Sequence, residues 1–276
     1  FTQAGEPLGA HALAFDGTHV WVALQFGNTL QRFNARTGEP AGSFRTGERP
    51  VALLHALGAV WVANAGSHTV TKLRPSDGAV LGVYAVDAGP TALASDGVHL
   101  WVASRSANTL VKLDGSGKRL LTVPVPGRPT ALAFDGVHIW AAGAMSHEVY
   151  KVRASDGAGI ARYPVGDGPT GLAFDGSALW VANFFSGTVM KLRISDGKPL
   201  GTYATGDGAS GLAFDGARLW VANTGANSVT LLRHDGLVMA SYKTGTGPAQ
   251  VVFDGSHVWL SNGGSDTVST SLKGLR

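Results

Sequence analysis

A chain of 276 residues with 44% hydrophobic residues, 39 glycines and 12 prolines has the composition of a turn-rich β protein, and its low charge excludes disorder. It has no cysteine, which excludes disulfides, thiolate metal sites and a cysteine nucleophile. Its formal net charge of +3 is a weak field for this length and does not point to nucleic acid as a partner.

No run reaches the roughly 18 apolar residues of a membrane span. No basic-then-apolar leader opens the chain, so a signal peptide is expected to have been removed or never present. The cysteine-free composition tolerates an oxidising compartment, and an extracellular or periplasmic location is the expectation.

Seven tryptophans set the organisation: Trp21, Trp61, Trp101, Trp140, Trp180, Trp220 and Trp259. Their spacings are 40, 40, 39, 40, 40 and 39 residues, and the chain has no other tryptophan. A fixed period near 40 is the mark of a repeat architecture. The expected blade cores are 10–46, 50–86, 90–125, 129–165, 169–205, 209–244 and 248–273, the last completed by 1–5, in one domain over 1–276.

Unit one has about three extra residues, Leu8-Gly9-Ala10, after Pro7. Unit two replaces the usual Phe-Asp-Gly with His55-Ala56-Leu57-Gly58, and unit four has Ala142-Gly143 where others have Ala-Asn. Unit five is the plainest copy. It predicts strand a over 169–174, strand b over 179–183, strand c over 188–192 and strand d over 200–205. Alternating apolar residues make these strands, and Asp175-Gly176 makes the hairpin turn between a and b. The connections are short, so the four strands are antiparallel neighbours. Unit seven runs out after strand c, and Phe1-Thr2-Gln3-Ala4-Gly5 resembles a strand-d ending. The expectation is an all-β, seven-bladed β-propeller of four-stranded antiparallel blades, with the N-terminal strand closing the last blade. Because that closing strand is short, the outer edge of blade seven could accept another chain.

The pattern Trp-Val-Ala-Asn, Thr-Val-x-Lys-Leu, Ser-Asp-Gly and Gly-x-Gly-Pro-Thr-x-Leu resembles the YVTN/NHL-like propeller repeats, and the virginiamycin B (streptogramin) lyase family is a similar case. The resemblance covers essentially the whole chain and implies the fold; one propeller scaffold hosts many activities. For the lyase family it implies a histidine base with glutamates holding magnesium. His11 matches the histidine position, but the matching carboxylate positions are Gly9 and Leu24, and Ala249 stands where a partner histidine would be. No metal, cofactor or catalytic residue is therefore expected.

Residues that recur in most blades read as scaffold. His19, His99, His138 and His257 precede tryptophans at a fixed offset and read as structural; the Asp-Gly pairs read as turns; Lys72, Lys112, Lys151 and Lys191 read as a solvated outer ring. Residues that break the local rule read as site candidates. After strand b most units have small residues, but here stand Gln25, Phe26, Arg105, Met145, Phe184 and Phe185. Arg49 and Arg128 replace the glycine before the strand-a proline, and His11 and Gln250 replace small residues at the start of strand a. These ten fall on two arcs of one face, one across blades three to five and one across blades seven, one and two. Exposed aromatics beside arginines are a common binding-surface composition. The expected function is a non-enzymatic module presenting this loop face to a protein, glycan or small ligand. The alternatives are a streptogramin-lyase-like enzyme centred on His11, and a self-assembling protein using the blade-seven edge.

Overall fold

The structure is a computed structural model, and it describes residues 9–271. Among these residues every regular element is a β-strand. They form a seven-bladed β-propeller: six sheets have four antiparallel strands, and the seventh has three among the described residues. The strand predicted at 1–5 lies outside the described residues. The innermost strands are Ala10–Phe15, Pro50–Ala56, Pro90–Ser95, Pro129–Phe134, Pro169–Phe174, Ala209–Phe214 and Pro248–Phe253. Each has an early register shift against strand b, which turns its first residues toward the axis.

The ring is closed by direct contact of blade seven with blade one. Leu13, Val20, Val22 and Phe33 share one core with Trp259. Ser261 Oγ donates to the His11 carbonyl at 2.8 Å, and the Gln250 side-chain carbonyl accepts the Leu13 N–H at 2.7 Å.

All seven tryptophans are buried, five of them completely. Each packs on the strands of the following blade; Trp180, for example, lies in one cluster with Leu219, Val221 and Leu232. Burying one such side chain removes about 150–250 Å² from water. At about 25 cal/mol/Å² that is roughly 4–6 kcal/mol before entropy is charged. The indole N–H is satisfied at the turn end of the ring. Trp21, Trp101, Trp140, Trp180, Trp220 and Trp259 donate to Asp16, Asp96, Asp135, Asp175, Asp215 and Asp254 at 2.7–3.1 Å. In blade two, which lacks the aspartate, Trp61 uses the Ala56 carbonyl at 3.1 Å. The Asp-Gly pair is thus a turn and a clamp on the neighbouring core. His19, His99, His138 and His257 place Nδ1 3.1–3.6 Å from the same carboxylates.

The lysine ring departs from expectation. Lys112, Lys151 and Lys191 are buried, not solvated. Their ammonium groups lie 5.3, 5.0 and 4.7 Å from the indole centroids of Trp101, Trp140 and Trp180. Each also donates to a carbonyl of the next blade, at Ala154, Ile194 and His234. A π face and a backbone carbonyl hold each charge, joined at Lys112 and Lys191 by the Asp96 and Asp175 carboxylates at 3.9 and 3.6 Å, and these together offset its desolvation. A period of 40 brings the next blade's turn within reach, which the sequence of one blade does not display.

Candidate functional site

The loop end is built by one rule in all seven blades. The residue after strand b donates its N–H to the residue just before strand a: Gln25 to Gly9, Ala65 to Arg49, Arg105 to Gly89, Ala144 to Arg128, Phe184 to Gly168, Thr224 to Gly208 and Gly263 to Gly247, at 2.8–3.3 Å. The acceptor residue has positive φ every time, from 55° to 73°. Glycine takes that conformation without strain, which explains five of the seven. Arg49 at 55° and Arg128 at 58° take it with a side chain attached. The left-handed region costs about 1–2 kcal/mol for a residue with a Cβ, and the Asn28 and Asn108 side-chain carbonyls, which accept the Arg49 and Arg128 N–H at 2.8 Å, hold the two residues there.

A cavity of about 690 Å³ opens at the axis on this face. Of the ten candidates it is lined by His11, Gln25, Arg49, Arg105, Phe184 and Gln250. The two arcs therefore converge on one mouth. Phe26, Arg128, Met145 and Phe185 do not line it. For three of these the reason is positional. Gln25, Arg105 and Phe184 occupy the first position after strand b and face the axis, whereas Phe26, Met145 and Phe185 occupy the second and lie outward, at 62%, 62% and 75% exposure. Phe26 folds over Gly9 and Phe185 over Gly168, where a Cβ would collide with either ring. Phe184 meets Phe185 edge to face at 5.3 Å. Arg128 has the backbone of Arg49, but its side chain stays out of the cavity.

No aspartate or glutamate lines the cavity. The Arg49 and Arg105 guanidinium groups make no hydrogen bond or ion pair among the described residues, and neither do the His11 ring nitrogens. Burial first, and the Arg49 guanidinium second, push the His11 pKa below its ordinary value of 6.5. His11 thus favours the neutral imidazole beside the Arg49 cation, and Arg49 and Arg105 offer free donors to an anion at the mouth.

Below the mouth lies a belt that the sequence reading missed. Thr91 Oγ1 donates to the Pro129 carbonyl at 2.9 Å, Thr130 Oγ1 to Pro169 at 2.8 Å, Thr170 Oγ1 to Ala209 at 3.3 Å and Ser210 Oγ to Ala249 at 3.3 Å. Each bond joins one innermost strand to the next. The signal was the Pro-Thr-x-Leu repeat at the start of strand a. Blades seven, one and two place Ala249, His11 and Val51 at this position, so the belt is broken where His11 enters. Gln250, one residue later, bonds Leu13 instead and ties that sector.

A magnesium site of the lyase type does not fit. Gly9 lies beneath the Phe26 ring, Leu24 is buried in the core and Ala249 carries no donor. Among the described residues no group of three or more His, Cys, Asp or Glu side chains could hold a metal ion. A hard divalent cation needs an oxygen shell that these residues do not supply.

No family model matches the chain, and no curated protein matches it in sequence. Solved structures do match in fold. Hydrazine synthase from Kuenenia stuttgartiensis aligns with a TM-score of 0.87 at 18% identity, covering 100% of both chains. Virginiamycin B lyase from Staphylococcus aureus aligns at 0.82 and 17%, covering 99% of this chain and 98% of that one. A streptogramin B lyase aligns at 0.81 and 17%, covering 98% and 95%. At these identities the likeness is one of fold: the chain is a seven-bladed β-propeller of the architecture that these enzymes share.

Proposed function

We propose that this chain is a non-catalytic binding propeller whose channel mouth holds a small ligand with an anionic group and an apolar ring. One observation carries the reading: Arg49 and Arg105 enter a single cavity with no acidic residue in its lining. Two guanidinium groups bind a carboxylate through charge-assisted hydrogen bonds, and Phe184 offers an aromatic wall. The left-handed backbone at Arg49 supports it further, since glycine would serve the fold better there.

Calorimetry with benzoate, phenylacetate and indole-3-acetate tests the proposal. At least one is expected to bind with a Kd near or below about 1 mM, and Arg49→Ala with Arg105→Ala to weaken it by about tenfold or more. Failure of the whole panel, or binding indifferent to both arginines, ends the reading. A protein or glycan docked on the outward Phe26, Met145 and Phe185 would show such indifference. Turnover of quinupristin, which a solved complex pairs with an inactive form of the staphylococcal lyase, would favour the His11-centred enzyme instead if lost in His11→Ala.

A further inference from the structure

One more side chain lines the mouth, and it does two jobs at once. In six blades the residue just before strand c carries a side chain that accepts the N–H of the residue preceding strand a in the next blade. Asparagine does this at Asn28, Asn108 and Asn227, aspartate at Asp266, and histidine at His68 and His147. All six have positive φ, from 50° to 57°. His68 Nδ1 accepts the Gly89 N–H at 3.1 Å. A ring nitrogen that accepts carries no proton, so this bond assigns the ring hydrogen to Nε2. Nε2 has no partner among the described residues. The cap itself needs only an acceptor, which asparagine supplies in three blades; the imidazole adds a donor that the fold leaves unused. His68 lines the channel cavity, and His147 does not.

Backbone bonds hold His68 between the two arginines. Ala65, in the same loop, donates to the Arg49 carbonyl at 2.9 Å, and Gly89, which His68 caps, accepts the Arg105 N–H at 2.8 Å. Ser106 follows Arg105, lines the cavity and packs over Gly89, where a Cβ would meet its Oγ at 2.5 Å. The Ser106 hydroxyl makes no hydrogen bond among the described residues. Blades two and three thus offer two guanidinium groups, an imidazole N–H and a hydroxyl to one sector of the mouth. Glu48 and Asp87, the acidic residues of the loops that lead into these two blades, stay out of the lining. Asp87 is already held by Thr109 and Arg119, each at 2.7 Å.

We propose that the anionic group taken up at the mouth is the terminal phosphate of a small phosphomonoester, with His68 as the donor that separates it from a carboxylate. This rests on the reading of the mouth as an anion site and narrows it. A carboxylate has two oxygens, and the two guanidinium groups fill them. A phosphomonoester has three terminal oxygens and a charge of about −1.5 to −2 at pH 7, so it also uses the imidazole N–H and the hydroxyl. Phe184 is left as the wall for the group that the phosphate esterifies.

Calorimetry at pH 7 with phenyl phosphate and phenylacetate, which share a ring and differ in the anion, tests the proposal. Phenyl phosphate is expected to bind about tenfold tighter or more. His68→Asn keeps the cap in the form that three blades already use and removes the Nε2 donor. It is expected to weaken phenyl phosphate by about fivefold or more, to move phenylacetate by less than about twofold, and to leave the unfolding temperature unchanged. Ser106→Ala, an exposed change, is expected to weaken phenyl phosphate by about threefold and serves if His68→Asn disturbs the fold. Equal affinity for the two anions, or phenyl phosphate binding indifferent to both variants, overturns the proposal and leaves the two-arginine reading standing on phenylacetate. If neither anion binds, that reading fails and the proposal falls with it.

Discussion

At the turn end of the ring six of seven blades do the same thing: an aspartate turns the chain, accepts an indole N–H and sits beside a polar partner. At the loop end the backbone rule is just as regular, with seven equivalent N–H to carbonyl bonds, yet the side chains differ from blade to blade. The contrast separates two jobs. Where side chain and backbone both repeat, the residue holds the ring together. Where only the backbone repeats, the side chain is free to serve something outside the fold.

Truncation should break this comparison most visibly. Trp180→Ala empties a fully buried seam and is expected to cost about 3–5 kcal/mol in denaturant unfolding. Phe185→Ala, an equally aromatic change at the loop end, is expected to stay within about 0.5 kcal/mol, because that ring is 75% exposed. Comparable losses would mean that the loop-end rings are core.

A smaller effect sharpens the clamp. Burial works against the Asp175 carboxylate, but hydrogen bonds from Trp180, Ala178 and Ser177 overcome it and hold its pKa down at about 2. A folded pKa below the ordinary 3.8 means that the group's stabilisation is complete above that value and is lost as pH falls toward about 2. Asp175→Asn is expected to cost about 1–3 kcal/mol at neutral pH and to flatten that part of the acid-unfolding curve. An unchanged acid profile would show that the clamp contributes nothing.

The smallest expected change has the opposite sign. Arg49→Gly relieves a positive-φ residue and should stabilise the fold by up to about 1 kcal/mol in thermal unfolding, while weakening the channel ligand. Destabilisation would mean that the Arg49 side chain supports the loop and does not serve the mouth.

Much of this was legible in the chain. The tryptophan period gave the blade count, and the Asp-Gly turns and alternating strands gave the blade interior, because these depend on neighbours a few residues away. All ten site candidates were chosen for their departure from the repeat, and six of them line the channel cavity. The pairs Gln25-Phe26 and Phe184-Phe185 were read as units, although only the first member of each reaches the axis. The backbone bond that orients them comes from the previous blade's d–a connection, and no pattern within the pair reveals it. Lys112, Lys151 and Lys191 were read as solvated for the same reason: their acceptors lie about 43 residues on, in another sheet.

By itself the sequence determined how many sheets form, which residues alternate within them and which blades depart from the rule, since propensity and periodicity act locally. Only the closed ring decided which departures meet. Circular packing brings His11, Arg49 and Gln250 into the same mouth as Arg105 and Phe184. That outcome depends on distances between blades, which are set by seven buried indoles packing at once.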